Sequence, residues 1–281
     1  SAEYREPTYN PAIQSNLGLK QHQLVIKNCQ VNYWIKNSNK EKWIIFLHGA
    51  GADHRMFLEQ VKVLENSYNI LLIDGRGQGK SKMIDKNQSV VFSDMIDDVI
   101  QIMNITHINQ TTIIAQSLGA SLAQEVAFNY PDRVRKMVLI GCYNHHDKTN
   151  LLWRFRNFLM TTTFKIIPWK SLAYKFGEMT SKNKEVKDYT IDCLLNTGRE
   201  TWKNLGITAY ETKHEVHTYK QPHETLLIRG EYDNPEMLKE IYSKMLKVNP
   251  LAKEVVISDS GHTCNMENIA DVNQAINDFL K

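Results

Sequence analysis

Apolar residues in this chain fall into two alternating rhythms. Short runs with continuous or every-other-residue apolar character predict strands, and longer stretches with apolar residues three and four apart predict helices. Residues 23–27 and 31–36 read as two strands of an edge hairpin turning at Asn28-Cys29. Trp43-Ile44-Ile45-Phe46-Leu47 is apolar throughout, as expected of a central strand covered on both faces. Further strands are predicted over 70–73, 111–114, 136–140, 225–229 and 254–257, with helical spacing over 56–66, 90–103, 118–130, 235–247 and 269–280. In the helix over 90–103, Val91, Met95, Val99 and Ile102 form the apolar face and leave Asp94, Asp97 and Asp98 for solvent. Strand and helix in alternation, with short connections, predict an α/β fold around a mostly parallel central sheet.

The alternation breaks in two places. Residues 1–22, with Pro7 and Pro11 and no periodicity, read as an N-terminal extension. Residues 143–221 read as an insertion of several helices, rich in aromatic residues such as Trp153, Phe158, Trp169, Phe176 and Trp202 and interrupted at Pro168 and Gly177. The core then comprises residues 23–142 and 222–281.

Composition removes several function classes. A chain of 281 residues, 42% hydrophobic and 23% charged, has globular values and suits one large domain better than two equal ones. The net charge of +3, with basic and acidic residues interspersed, provides no concentrated phosphate-binding face, so nucleic acid is not an expected partner. No apolar run approaches the ~18 residues of a membrane span, and the polar start lacks a signal-peptide core, so a cytoplasmic protein is expected. The start at Ser1-Ala2, without Met, also fits a processed terminus with an earlier signal removed. Cys29, Cys142, Cys193 and Cys264 lie far apart without a C-x-x-C pair, which predicts reduced thiols in place of a disulfide framework or zinc site. Triplets of the glycosylation type at Asn87, Asn104 and Asn109 are what an Asn-rich chain produces by chance. Nothing in these patterns fixes an oligomeric state.

Chemistry concentrates at Ala115-Gln116-Ser117-Leu118-Gly119, where a buried strand turns sharply into a helix. Such a turn exposes the serine hydroxyl and needs small residues two before and two after it, which Ala115 and Gly119 supply. The helix start adds unpaired backbone N–H groups suited to a developing oxyanion. A serine hydroxyl is a poor nucleophile and needs a base, with a third group to hold that base. Asp233 lies just past one late strand and His262 just past the next, and loops after the carboxyl ends of parallel strands gather on one edge of the sheet. Glu231 and Asp147 are rival acids. The glycines of Asp74-Gly75-Arg76-Gly77-Gln78-Gly79-Lys80-Ser81 mark a tight loop, and their spacing matches neither standard nucleotide-binding pattern. His145-His146 and His214 with His217 lack carboxylate or cysteine partners at ligand spacing, so no metal is expected.

Taken in order, His48-Gly49-x-Gly51, Asp74-x-Arg76-Gly77-x-Gly79-x-Ser81, the Ser117 turn, Gly230-x-x-Asp233 and Gly261-His262 resemble the motif series of the α/β-hydrolase superfamily over residues 23–281. The resemblance implies Ser117 as nucleophile, His262 as general base and acid, Asp233 as the orienting acid, and an oxyanion hole from the N–H groups of Ala50 and Leu118. His48 would brace the oxyanion loop, and the insertion would be the helical cap that shapes substrate choice. Ala115 departs from the commoner Gly of this turn while keeping the required smallness, and Gln116 either touches substrate or cap or fills space. The expected activity is cofactor-independent cleavage of a carboxylic ester or related acyl compound, with a small-molecule substrate carrying an apolar or aromatic portion. Acyl transfer, thioester or lactone cleavage and carbon–carbon bond hydrolysis use the same three residues, and a ligand-binding or sensor role uses the same fold. Epoxide or haloalkane hydrolysis would need an aspartate where Ser117 stands.

Overall fold

The apolar run at 43–47 forms the middle of a twisted sheet, and its residues divide between the two sheet faces. Ile44 and Phe46 join one hydrophobic cluster, while Ile45 and Leu47 join the other. The computed structural model describes residues 16–145, 167–211 and 219–281. Among these, the strands are β1 (Lys20–Ile26), β2 (Cys29–Lys36), β3 (Trp43–Leu47), β4 (Asn69–Ile73), β5 (Lys82–Met83), β6 (Thr111–Gln116), β7 (Val134–Ile140), β8 (Glu224–Gly230) and β9 (Ala252–Ile257). Their spatial order is β1-β2-β4-β3-β6-β7-β8-β9, with the short β5 paired to β2. From β4 to β9 neighbouring strands are parallel, and β1 and β2 form the antiparallel edge.

The longer helices are α1 (Leu58–Leu64), α2 (Phe92–Ile105), α3 (Leu118–Asn129), α4 (Trp169–Thr180), α5 (Lys184–Thr197), α6 (Arg199–Glu211), α7 (Pro235–Val248) and α8 (Ile269–Leu280), with a four-residue helix, Cys264–Glu267, before α8. Apolar residues of α1 and α8 cover one face of the sheet, and those of α2, α3 and α7 cover the other. Helices α4, α5 and α6 lie between β7 and β8 in sequence, within the predicted insertion. Helix α5 packs on the loop after β4, where Asn196 donates to the Gly79 carbonyl (2.9 Å), and α6 on the start of α2, where the Phe92 N–H donates to the Thr208 hydroxyl (2.9 Å). None of the described helices is long and apolar enough to cross a membrane. All four cysteines are free and buried.

Three details depart from the pattern of the sequence. The hairpin turn is Lys27-Asn28, since Cys29 already pairs with Ile26 and is wholly buried, and the left-handed backbone falls on Lys27 (φ 50°). The first strand starts at Lys20, three residues before its apolar alternation becomes visible. In α2, Asp98 is buried, and Val91, predicted on the apolar face, is exposed before the helix begins. The cause is Arg76, whose guanidinium is also buried and grips Asp98 at 2.6 and 2.7 Å while donating to the Ile26 carbonyl. A charge buried with its bidentate partner breaks helical polarity patterning because the partner lies on a distant loop.

Candidate active site

The Ser117 turn is built by close approach of backbones. Every residue of β6 is buried, and the Ser117 N–H donates to the Ile140 carbonyl (2.9 Å), which holds the turn onto β7. Ser117 adopts φ 51° and ψ −113°, strained for a residue with a side chain. A Cβ at Gly119 would lie 2.1 Å from the Leu47 carbonyl oxygen, so α3 can begin this close to β3 only with glycine there. Leu118 heads α3, where the N–H groups have no acceptor within the helix.

The loops after β8 and β9 meet beside this turn. The Tyr232 N–H donates to the Ser260 carbonyl (2.9 Å), and a Cβ at Gly230 would come within 2.2 Å of the Gly261 oxygen. This contact brings His262 Nδ1 to 2.9 Å from Oδ2 of the buried Asp233. Burial of His262 works against its imidazolium, but the hydrogen bond and charge of Asp233, with the charge of Glu267, outweigh it and raise the histidine above its ordinary value. Glu231, the rival acid, instead accepts the Asp259 N–H (3.0 Å) on the exposed side. Asp147 lies outside the described residues.

The loop after β3 is anchored from three directions. His48 donates from Nδ1 to the Gly49 carbonyl (2.8 Å) and accepts the Gly75 N–H at Nε2 (2.8 Å), which fixes a neutral tautomer and ties the loop after β3 to the loop after β4. The Gly51 N–H donates to Gln78 Oε1 (2.7 Å). The Tyr189 hydroxyl on α5 donates to the Asp53 carbonyl (3.0 Å) and accepts the Asp53 N–H (3.1 Å). Asp53 is buried, which opposes its ionisation, yet the charge and hydrogen bonds of Arg55 overcome this and hold the carboxyl well below the usual carboxylate range. The oxygens of Asp74 accept the His54 and Lys80 N–H groups (both 2.8 Å), so this motif aspartate shapes its own loop.

Ser117, His262, Ala50 and Gln116 border one cavity of about 230 Å³. Its remaining described walls are mostly apolar or aromatic, including Met56, Phe176, Tyr189, Leu194 and Trp202. A Cβ at Gly51 would fall 2.6 Å from Leu194 and 2.9 Å from Trp202, so α5 and α6 rest directly on the loop that carries Ala50. Among the described residues no group of three His, Cys, Asp or Glu side chains could hold a metal ion. His145 is buried and stacked on Phe92, while His146, His214 and His217 lie outside the described residues.

Two further residues bear on His262. Gly141 follows β7 with φ 57°, and a Cβ there would lie 3.0 Å from both Asp233 Oδ2 and His262 Nδ1. A glycine at the end of a strand was the only available hint. Gln116 donates to the His262 carbonyl (3.0 Å), a contact across 146 residues, and so does more than fill space.

The sequence profile of the alpha/beta hydrolase fold matches residues 42–269. The chain is 27% identical over 269 residues to 3-oxoadipate enol-lactonase 1 of Acinetobacter baylyi, covering 92% of this chain and 97% of the relative. It is 24% identical to RutD, a candidate carbamate hydrolase of Caulobacter sp. strain K31, over 104 residues, so the match spans 37% of this chain and only 38% of that relative. In three dimensions it is similar to a thermophilic esterase from Thermogutta terrifontis, with a TM-score of 0.76, 18% identity, and coverage of 93% of this chain and 98% of the esterase.

Proposed function

Because the chain belongs to the alpha/beta hydrolase fold family, we propose that it is a serine hydrolase that cleaves a small carboxylic ester or related acyl compound through an acyl-enzyme. One observation carries this reading: Ser117, on its strained turn, shares a cavity with His262, whose Nδ1 is held 2.9 Å from the buried Asp233. Asp233 would keep His262 in the tautomer with Nε2 free to accept a proton. His262 takes the proton of Ser117 as its oxygen bonds to the substrate carbonyl carbon, and the Ala50 and Leu118 N–H groups hold the resulting oxyanion. Each of those donors is worth ~10² to 10³ in rate. His262 then returns the proton to the departing alkoxide. In the second half it takes a proton from water, whose oxygen attacks the acyl carbon, and Ser117 Oγ leaves with that proton.

In this reading residues 143–221 form a cap over the core of residues 23–142 and 222–281. The apolar walls at Met56, Phe176, Leu194 and Trp202 favour an apolar acyl group or alcohol. Lactone cleavage is a second reading, favoured by the near full-length similarity to the Acinetobacter baylyi enol-lactonase. The test is labelling with a fluorophosphonate probe followed by peptide mapping of the wild type and Ser117→Ala. Modification at Ser117 that disappears in the variant supports the activated nucleophile, and a well-folded wild type that takes no label counts against it.

A further inference from the structure

His262 is held through its own backbone as well as through its ring. On one side, Gln116 donates to the His262 carbonyl. On the other, the N–H of Gly261, the residue before the histidine, donates to Oε2 of Glu267 (2.9 Å), with the Thr263 hydroxyl 3.5 Å from the same oxygen. The second oxygen of Glu267 bonds to a different segment. It accepts the hydroxyl of Ser181 (2.6 Å), a buried residue that ends α4 and whose Oγ also accepts the Asn183 N–H at the start of α5 (3.0 Å). The two segments are in contact as well as bridged, since a Cβ at Gly261 would lie 3.2 Å from the Thr180 carbonyl. One carboxylate therefore joins the histidine loop of the core to the corner between two inserted helices.

We propose that Glu267 is a positioning residue that fixes the His262 loop and ties it to the α4–α5 corner, so that placement of the general base depends on the seating of the inserted helices. The inference rests on the reading of His262 as general base. A glutamine would keep the Gly261 hydrogen bond through its oxygen and reverse the one to Ser181, its amide donating to the hydroxyl oxygen, while removing the charge. The charged and titratable groups around His262 are Asp233 from the loop after β8, Glu267 at the end of the short helix Cys264–Glu267 that follows the histidine, and the buried thiol of Cys264, which burial and these two carboxylates push up. In the turn between α4 and α5, the ammonium of Lys182 lies over the Tyr232 ring (4.3 Å). Glu267 thus adds a second negative charge that favours the imidazolium.

The test is the pH dependence of p-nitrophenyl butyrate hydrolysis by the full chain as wild type, Glu267→Gln and Ser181→Ala, with Ser117→Ala and His262→Ala as references. Glu267→Gln is expected to lower kcat by ~3- to 10-fold with little change in KM, and to move the acid limb of kcat/KM down by about half a pH unit. Ser181→Ala removes the tie from Glu267 to the α4–α5 corner, together with the acceptor of the Asn183 N–H, while leaving the Glu267 charge and its bond to Gly261, and is expected to lower kcat by a few-fold with the limb unmoved. It also serves as the readout if Glu267→Gln does not fold. If both variants match the wild type in kcat and in pH profile while the reference variants are inactive, the proposal fails and the catalytic reading stands. If Ser117→Ala and His262→Ala remain active, both fall.

Discussion

At the scale of single residues, the site spends backbone strain on placing one hydroxyl. Ser117 at φ 51° costs about 1–3 kcal/mol, sustained because β6 and α3 are buried on both sides of it. Under the proposed mechanism, Ser117→Ala or His262→Ala should lower kcat by ~10⁴- to 10⁶-fold while thermal unfolding stays near that of the wild type. The histidine also sets the pH dependence. Only neutral His262 can accept the serine proton, and its pKa is raised by Asp233 and Glu267 against the effect of burial. The acid limb of kcat/KM should therefore lie above the ordinary histidine value of about 6.5, and Asp233→Asn should move it down. A limb below that value in the wild type would contradict the assignment. Gly141 offers a third test. Its Cβ would crowd both partners of the Asp233–His262 contact at 3.0 Å, so Gly141→Ala should lower kcat by ~10²-fold in an ester assay while the protein stays folded.

At the scale of elements, the decisive junction is the one between β6 and α3. The helix begins one residue after Ser117 and its second residue, Gly119, touches the main chain of β3. A methyl group there meets a carbonyl oxygen of the central sheet, which cannot move aside as a flexible side chain would. Gly119→Ala should cost at least about 1–3 kcal/mol in urea unfolding and misplace the Ser117 turn as well. Stability unchanged in that variant would show that α3 can shift along β3. The loop after β3 is an element of another kind, with little regular structure. Its shape comes from the His48 ring, Gln78 and the Tyr189 hydroxyl, the last of these supplied by α5. Part of the geometry of the loop that carries Ala50 is therefore set by a helix that lies between β7 and β8 in sequence.

At the scale of the whole molecule, the parallel sheet collects the loops after β3, β6, β8 and β9 at one edge, and α4 to α6 lie over the loops after β3 and β4. The cavity left between them, about 230 Å³, is smaller than the roughly 300–1,000 Å³ of sites for drug-sized ligands. In a series of p-nitrophenyl esters, kcat/KM should peak between acetate and butyrate and fall by at least tenfold by decanoate. A profile still rising at decanoate would mean that the inserted helices open much further than they stand.

The features legible in the chain alone are local and periodic. The alternation of apolar runs and helical stripes placed the parallel strands and the flanking helices, because burial on one face or two leaves a repeat readable within ten residues. Placement just past parallel strands put Ser117, Asp233 and His262 on one edge of the sheet, and the roles proposed for them came from the resemblance of their motifs. Contacts between distant segments were not legible in this way. Asp98 is buried because Arg76 reaches it, Gln116 meets His262 across 146 residues, and Asp53 meets Tyr189 across 136. A polar side chain shows in sequence that it needs a partner if it is buried, but neither its burial nor its partner is encoded in the residues beside it. The approach of the Asp233 and His262 side chains to Gly141 leaves only a glycine in the sequence, a residue that serves many other ends.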